Sequence, residues 1–463
     1  MFPPFLRDDD ALAHIVVNCA VPDLDQIRAL HRAGRTADAL KVCESRLAQS
    51  GQSPELLAIA GTLALKLGDL PRAERYLHEA VTRAPMASEA RFNLGNALVR
   101  LDRRADAIEQ FRRVIELDPL LVAAHNNLGS ALYELRDFVA AEAAFRAALR
   151  LAPEAAHLHR NLGTALHEQA QLPAALECFG HARRLRPDWV KALQSQATTA
   201  MELGAWQIAL GACSSWLRVA PANAEALGLT SIALDELGRH EQADQLLDFE
   251  HLSRRVQLSQ PPVGFASLEA FNVALTRHTL EHPTLHVPPV GDPRHHCPTL
   301  RLTGEFCAEP KGPAGPLAEL VSAAVHDFAE ELARTLPQHP FVVGAPRLFE
   351  LKSWSTVLER EGNLEPHVHY ASYLSAVYYP KIPTQMTSTS AGAGFLEFGG
   401  GPTRFPTRHV RAVRAVEPRE GLLVLFPSYF YHRTAPFTAA EVRVAIAFDT
   451  VPVGSTTAGL ERV

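Results

Sequence analysis

Pro366-His367-Val368-His369 sets two imidazoles two residues apart, and a third, His432, follows 65 positions after His367 in Phe426-Pro427-Ser428-Tyr429-Phe430-Tyr431-His432. Imidazole nitrogens suit iron and its first-row neighbours, and two close ligands plus a distant third, with positions left open, are what a non-haem iron site needs. On an extended strand residues i and i+2 share a face, so His367 and His369 can converge on one ion. The apolar run 422–426 reads as a buried strand that carries His432 at its end, aimed inward. Eleven residues later Arg443 stands alone among Val442, Val444, Ala445, Ile446, Ala447 and Phe448, on a core strand. A guanidinium with no nearby acid in the sequence is costly to bury unless an anion meets it. The carboxylate of an organic acid co-substrate would meet it in the planar, two-pronged geometry arginine favours. Spacing alone proves little: His157 and His159 repeat the pattern where a helix is expected, and there i and i+2 diverge.

The elements that must position these groups are short. From residue 341 onward, strand-like runs at 349–354, 373–379, 394–398, 421–426 and 442–448 are separated by Gly and Pro, without intervening helices. That pattern predicts an antiparallel sandwich or barrel. One helix precedes them, with Leu317, Leu320, Val321, Ala324, Val325, Phe328 and Leu332 at helical spacing, and it should lie against a sheet. Further upstream Pro261-Pro262, Pro283, Pro288-Pro289, Pro293 and Pro298 mark irregular chain and a boundary near residue 258. His282, His286, His295 and His296 crowd this segment without regular placement and read as exposed loop histidines.

Residues 366–451 resemble the Fe(II)/2-oxoglutarate-dependent oxygenases, in particular a bacterial branch with His-x-His, Ser-Gly/Ala-Val-Tyr-Tyr (here Ser375-Ala376-Val377-Tyr378-Tyr379) and Phe-Pro-Ser-x-x-x-His. The likeness extends back to about residue 258. It implies a double-stranded β-helix, or jelly-roll, with flanking helices. It further implies that His367 and His432 bind Fe(II), that Arg443 pairs with the distal carboxylate of 2-oxoglutarate, and that Tyr379 donates to the same carboxylate. Dioxygen is the other co-substrate, and no catalytic side chain is expected beyond the metal ligands. Ser375 shares strand parity with Tyr379 and could line the same pocket. One departure stands out: most relatives in the wider superfamily place Asp or Glu two residues after the first histidine, and here that place is His369. Either His369 is a third, neutral ligand, leaving the site one positive charge higher, or an outside acid such as Glu365 or Glu397 ligates while His369 turns toward the substrate.

The first half of the chain repeats with a period of 34. Prolines fall at Pro85, Pro119, Pro153, Pro187 and Pro221, and alanines at Ala39, Ala73, Ala107, Ala141, Ala175, Ala209 and Ala243. The shared text, such as Asn93-Leu94-Gly95-Asn96-Ala97-Leu98 and Asn127-Leu128-Gly129-Ser130-Ala131-Leu132, predicts two antiparallel helices per repeat. Small residues should sit where helices approach, with proline past the end of the second helix and turn glycines at Gly34, Gly68, Gly204 and Gly238. Period and placement resemble the tetratricopeptide repeat (TPR) family over residues 22–257, about seven units with degraded ends, whose superhelix holds peptides or proteins in a concave groove. Asn93, Asn127 and Asn161 share one repeat position, which resembles the asparagine ladder in the TPR groove of the protein O-GlcNAc transferases. Such a row either grips an extended backbone or bonds within the solenoid.

The expected organisation is therefore multidomain: an N-terminal segment (1–21), an all-α TPR solenoid (22–257) and a jelly-roll oxygenase domain (258–463). A net charge of -6 argues against nucleic acid held by bulk electrostatics. No run of about twenty apolar residues predicts a membrane span. The six cysteines form no Cys-x-x-Cys pair, and with no secretory signal in view a reducing cytoplasm is the expected compartment. The expected activity is dioxygenase hydroxylation of a peptide or protein side chain recruited by the TPR arm. The alternatives are the same chemistry on a small molecule, or an interaction scaffold with a degenerate oxygenase domain.

Overall fold

The computed structural model describes residues 24–50, 53–289, 297, 299–307, 312–359, 361–387, 392–399, 404–409 and 411–453. The N-terminal segment 1–21, with His295 and His296, lies outside them. The chain divides into two compact units, 1–187 and 188–463.

The first unit is five helix pairs: α1 (Leu24–Arg32) with α2 (Thr36–Ser50), α3 (Pro54–Leu67) with α4 (Leu70–Arg83), α5 (Ser88–Arg100) with α6 (Arg104–Leu117), α7 (Val122–Glu134) with α8 (Phe138–Leu151), and α9 (Ala156–Glu168) with α10 (Leu172–Leu185). The period of 34 is visible as packing. Phe111, Phe145 and Phe179 are fully buried, and a Cβ on Gly95, Gly129 or Gly163 would stand 2.6, 2.7 and 2.7 Å from their rings. Glycine at this position lets the two helices of a pair close over an aromatic ring. The asparagine row is an internal one. Asn93 Nδ2 donates to Thr62 Oγ1 (3.0 Å), Asn127 Nδ2 to Asn96 Oδ1 (2.8 Å) and Asn161 Nδ2 to Asn126 Oδ1 (2.9 Å). With the three residues only 4–6% exposed, these amides tie repeat to repeat, the second of the two readings of the row, while Asn93 also borders a cavity of the first unit.

The turn position between paired helices is left-handed in every repeat. Gly34, Gly68, Gly204 and Gly238 occupy it with φ of 67 to 80°, and Asp102, Arg136 and Ala170 occupy it in between with φ of 57 to 65°. A non-glycine residue there carries roughly 1 kcal/mol of backbone cost. Ala170→Gly should therefore raise stability by about 0.5–1 kcal/mol, read as an upward shift in the urea midpoint; an unchanged or lower midpoint would contradict the assignment.

The second unit opens with two more pairs, α11 (Val190–Glu202) with α12 (Trp206–Val219) and α13 (Ala224–Glu236) with the short α14 (His240–Leu246), then α15 (Phe249–Leu252) and β1 (Arg254–Gln257). There follow α16 (Leu268–Leu280), β2 (Leu300–Leu302), α17 (Ala314–Thr335), α18 (Pro340–Val343), β3 (Phe349–Leu358), β4 (Glu361–His367), β5 (Leu374–Lys381), β6 (Leu396–Phe398), β7 (Arg414–Val416), β8 (Leu422–Pro427), β9 (His432–Thr438) and β10 (Arg443–Pro452). The strands form a six-stranded sheet in the order β1-β8-β5-β10-β3-β2 and a four-stranded sheet β4-β9-β6-β7, all antiparallel, a jelly-roll-like pair of layers. Helix α17 lays Leu317, Val321, Val325, Phe328 and Leu332 into the core that holds Tyr378, Ile446 and Phe448.

The end of the repeat text is not the edge of a compact unit. Repeat-type helices α11–α14 belong to the unit that holds the sheets: Tyr429 Oη donates to the Leu246 carbonyl (2.6 Å) and Arg411 bridges Asp235 and Asp244. Strand β1, inside the stretch assigned to repeats, pairs with β8. Among the described residues no helix is long and apolar enough to cross a membrane.

Candidate metal and co-substrate site

Strand register decides which side chains share the space between the sheets. In β10, Arg443, Ala445, Ala447 and Asp449 alternate onto one face; Asp449 stands opposite Ser375 and Ala447 opposite Val377 on β5, so Ser375 and Val377 share that face, and Tyr379, where the register shifts, joins it by packing its ring 5.1 Å from the Arg443 guanidinium. The intervening residues turn the other way, as Tyr378 shows by donating its hydroxyl to Asn272 of α16 (2.6 Å). Ser375 and Tyr379 therefore do line the same face.

The histidines come from the smaller sheet. His367, the last residue of β4, is the direct cross-strand partner of His432, the first residue of β9. Two expectations change here. His369 lies on the bend beyond β4 rather than on the strand, held by its backbone N–H to the Ser428 carbonyl (3.1 Å). His432 opens a strand of the second sheet after a turn instead of closing β8. The three rings nonetheless meet, with centroids 4.3 Å (His367 to His432), 5.2 Å (His367 to His369) and 5.1 Å (His369 to His432) apart. One nitrogen from each lies within 4.8 Å of the others, close enough to share an ion.

In each ring Nδ1 is the atom turned to an acceptor: His367 to the Glu365 carbonyl (2.8 Å), His432 to the Phe430 carbonyl (2.9 Å) and His369 to Asp449 Oδ1 (2.7 Å). A proton fixed on Nδ1 leaves the lone pair on Nε2, the arrangement in which histidine ligates metals. His432 is 6% exposed, and burial, reinforced by the two neighbouring imidazoles, pushes its pKa well below the ordinary value, which favours the neutral ligating form. The candidate outside acids are engaged elsewhere: Glu397 accepts from Arg433 Nε (2.7 Å) and Glu365 from Asn363 (3.1 Å). Asp449, buried behind His369, is the acid that sequence reading missed, although its parity with Arg443 on β10 was a usable signal.

At the other end of the same face Arg443 is 2% exposed, its Cζ 5.1 Å from the Tyr379 ring centroid. Glu441, two residues before it, pairs instead with Lys381 (2.9 Å). Arg443 Nε is buried without a hydrogen-bond partner, and the Tyr379 hydroxyl, which faces the guanidinium, finds no acceptor for its own proton among the described residues. Burial lowers the Arg443 pKa, opposed by Tyr379, and burial raises that of Tyr379, opposed by Arg443. Orphaned buried donors are rare and point to a missing acceptor. Between the two ends only Ala445 and Ala447 rise from β10, which keeps the middle of the face low. An elongated dianion with one end on a metal and the other on a guanidinium fits that donor set.

Among the described residues one other group has the chemistry to hold a metal, Asp235, His240 and His409. The Arg411 guanidinium already takes both oxygens of Asp235, so a second cation there would meet an unfavourable charge.

Comparison with known proteins agrees with this division. A tetratricopeptide repeat family model matches residues 60–122, 95–156 and 126–188. Residues 352–449, which contain all three histidines, Ser375, Tyr379, Arg443 and Asp449, match the family described as "Putative 2OG-Fe(II) oxygenase". TPR repeats over residues 60–188 are thus followed by a match to the family described as "Putative 2OG-Fe(II) oxygenase" at 352–449. Similar solved structures include the C-terminal part of a TPR repeat-containing protein from Cytophaga hutchinsonii (16% identity over 48% of this chain and 91% of that one, TM-score 0.43). MamA from Desulfovibrio magneticus RS-1 is 21% identical over 37% of this chain and 99% of its own, with TM-score 0.35. YrrB, titled a TPR protein with an unusual peptide-binding site, is 22% identical over 37% and 89%, with TM-score 0.35. No curated protein matches.

Proposed function

We propose that the chain is an Fe(II)- and 2-oxoglutarate-dependent dioxygenase that hydroxylates a peptide or protein side chain. The observation that carries this reading is the cluster of three imidazoles beside one end of the β5–β10 face, where Asp449 meets His369, together with a buried guanidinium on β10 that has no carboxylate paired to it among the described residues. His367, His369 and His432 would hold the iron, and Arg443 with the Tyr379 hydroxyl would take the distal carboxylate of 2-oxoglutarate. When bound, iron and 2-oxoglutarate supply dioxygen activation coupled to oxidative decarboxylation of the co-substrate to succinate. The chain's own part is to fix three Nε2 lone pairs, to orient the dianion between two ends of one face, and to keep water away with Trp354, Phe398 and Phe426 around the rings.

The peptide acceptor rests on the repeats. In the first unit a cavity of about 450 Å³ is lined by α1, α3 and α5, with Arg28, Arg32, Glu55 and Glu89 at its edge, a surface of mixed charge suited to polypeptide. A small-molecule acceptor is the second reading, favoured by a cavity of about 610 Å³ in the second unit, bounded by Phe398, whose ring lies 6.3 Å from His432.

Succinate release from 2-oxoglutarate, measured with and without a library of peptides, tests the proposal. Turnover that rises at least about tenfold with particular peptides is the expected result. Turnover indifferent to every peptide would favour the small-molecule reading, and no binding of iron or 2-oxoglutarate would leave an interaction scaffold.

A further inference from the structure

The position two residues after the first histidine carries no acid in this chain, yet a buried carboxylate stands directly behind the residue that occupies it. Asp449 Oδ1 accepts from His369 Nδ1 at 2.7 Å and from Ser375 Oγ at 2.7 Å. Ser375 Oγ also lies 3.1 Å from His369 Nδ1 and 2.9 Å from Ser428 Oγ, and Ser375 and Ser428 are 1% and 0% exposed. Asp449 is itself 8% exposed, and among the described residues its side-chain partners are His369 and Ser375. The neighbouring Lys352, opposite Asp449 on β3, is turned to Glu350 (3.7 Å) instead. A carboxylate this deeply buried is costly unless its oxygens are hydrogen-bonded, and among the described residues the His369 imidazole and the Ser375 hydroxyl are the side chains placed to do so.

We propose that Asp449 is a positioning residue that acts through His369: it supplies, one hydrogen bond behind the metal, the negative charge that an acidic ligand at position 369 would place on the metal directly. The inference rests on the reading of His367, His369 and His432 as the metal ligands. A carboxylate behind a ligating histidine fixes the tautomer and the ring plane and raises the basicity of the ligating nitrogen. Ser375, opposite Asp449 in register, donates to the same Oδ1 that meets His369, so its place is as a support of this pair rather than a contact to the co-substrate carboxylate. The clustering has a physical origin in the topology. His369 lies past the end of β4, where no strand partner fixes its side chain, and β5 and β10 bring Ser375 and Asp449 across to do so.

The test compares wild type with Asp449→Asn and Ser375→Ala by anaerobic titration with Fe(II), and by the visible absorption of the Co(II)-loaded proteins. Asparagine keeps an acceptor for His369 Nδ1–H and removes the charge. Asp449→Asn is expected to weaken metal affinity about 10- to 100-fold and to move the Co(II) bands, with the thermal midpoint of the metal-free protein retained. Ser375→Ala, which leaves the carboxylate in place, should weaken affinity by less than tenfold with a smaller band shift in the same direction, and it carries the test if Asp449→Asn does not fold. Wild-type affinity and an unmoved Co(II) spectrum in a folded Asp449→Asn protein would overturn the role of Asp449 while leaving the metal site intact. Wild type that binds neither Fe(II) nor Co(II) would remove the metal-site reading itself, and the proposal with it.

Discussion

His432→Ala is expected to abolish tight Fe(II) binding and with it all succinate release from 2-oxoglutarate. His432 is the innermost of the three imidazoles, 6% exposed, seated between Phe426 and Phe398 and paired across the strands with His367. Alanine there removes a nitrogen from a set of three and leaves an apolar-walled gap that no neighbouring donor can fill. The loss of affinity should exceed the roughly 10- to 100-fold typical of losing an outer hydrogen-bond partner, which separates it from the effect of Asp449→Asn. Anaerobic isothermal titration with Fe(II) measures it directly. Near wild-type iron affinity in a folded His432→Ala protein would dismiss the histidine cluster as a metal centre.

The second large effect concerns Arg443, and it has two signs. With no carboxylate paired to it among the described residues, the buried guanidinium carries an uncompensated desolvation cost in the protein alone. Arg443→Met, similar in length and apolar, should stabilise the ligand-free protein by about 1–4 kcal/mol. The same change should weaken 2-oxoglutarate binding by about 2–5 kcal/mol, roughly 30- to several thousand-fold in Kd, because it strips the partner of a buried charge. Thermal unfolding read with and without 2-oxoglutarate and a non-oxidisable metal shows both at once. The wild type gains a ligand-dependent rise in Tm, and the variant starts higher and gains little. A variant that starts lower, or that keeps the full 2-oxoglutarate shift, would place the co-substrate elsewhere.

Much of this arrangement was legible in the order of residue types. The repeat announced itself through proline, glycine and alanine at a fixed step, because each marks a backbone event that recurs in every helix pair. His367, His432, Tyr379 and Arg443 were legible because a charged or ring-nitrogen group inside an apolar run has few bland explanations. What depends on register was not. Asp449 acquires its role only when β10 is laid against β5 so that it faces Ser375, and no spacing in the sequence states that pairing. His369 was placed on a strand by its two-residue step from His367, whereas β4 ends at His367 and His369 meets the other two rings from the irregular chain beyond it. The asparagine row was legible as one repeat position, but which way it faces is decided by burial between neighbouring helices. The turns at Asp102, Arg136 and Ala170 stayed hidden because their residue types give no sign of the left-handed backbone they adopt.

The shared compactness of α11–α14 and the sheets has a consequence for how such a chain can change over time. The last two helix pairs form part of the body that shapes the histidine cluster, as Gly344 shows by approaching Pro221 so closely that a Cβ would stand 2.4 Å from its backbone. Those pairs are bound to the chemistry and cannot drift freely. The pairs before Pro187 answer mainly to their nearest neighbours, so whole repeats there can be gained, lost or re-lettered one at a time. Change by gain or loss of repeats is thereby confined to the leading end of the array, and the unit that holds the histidine cluster is spared it.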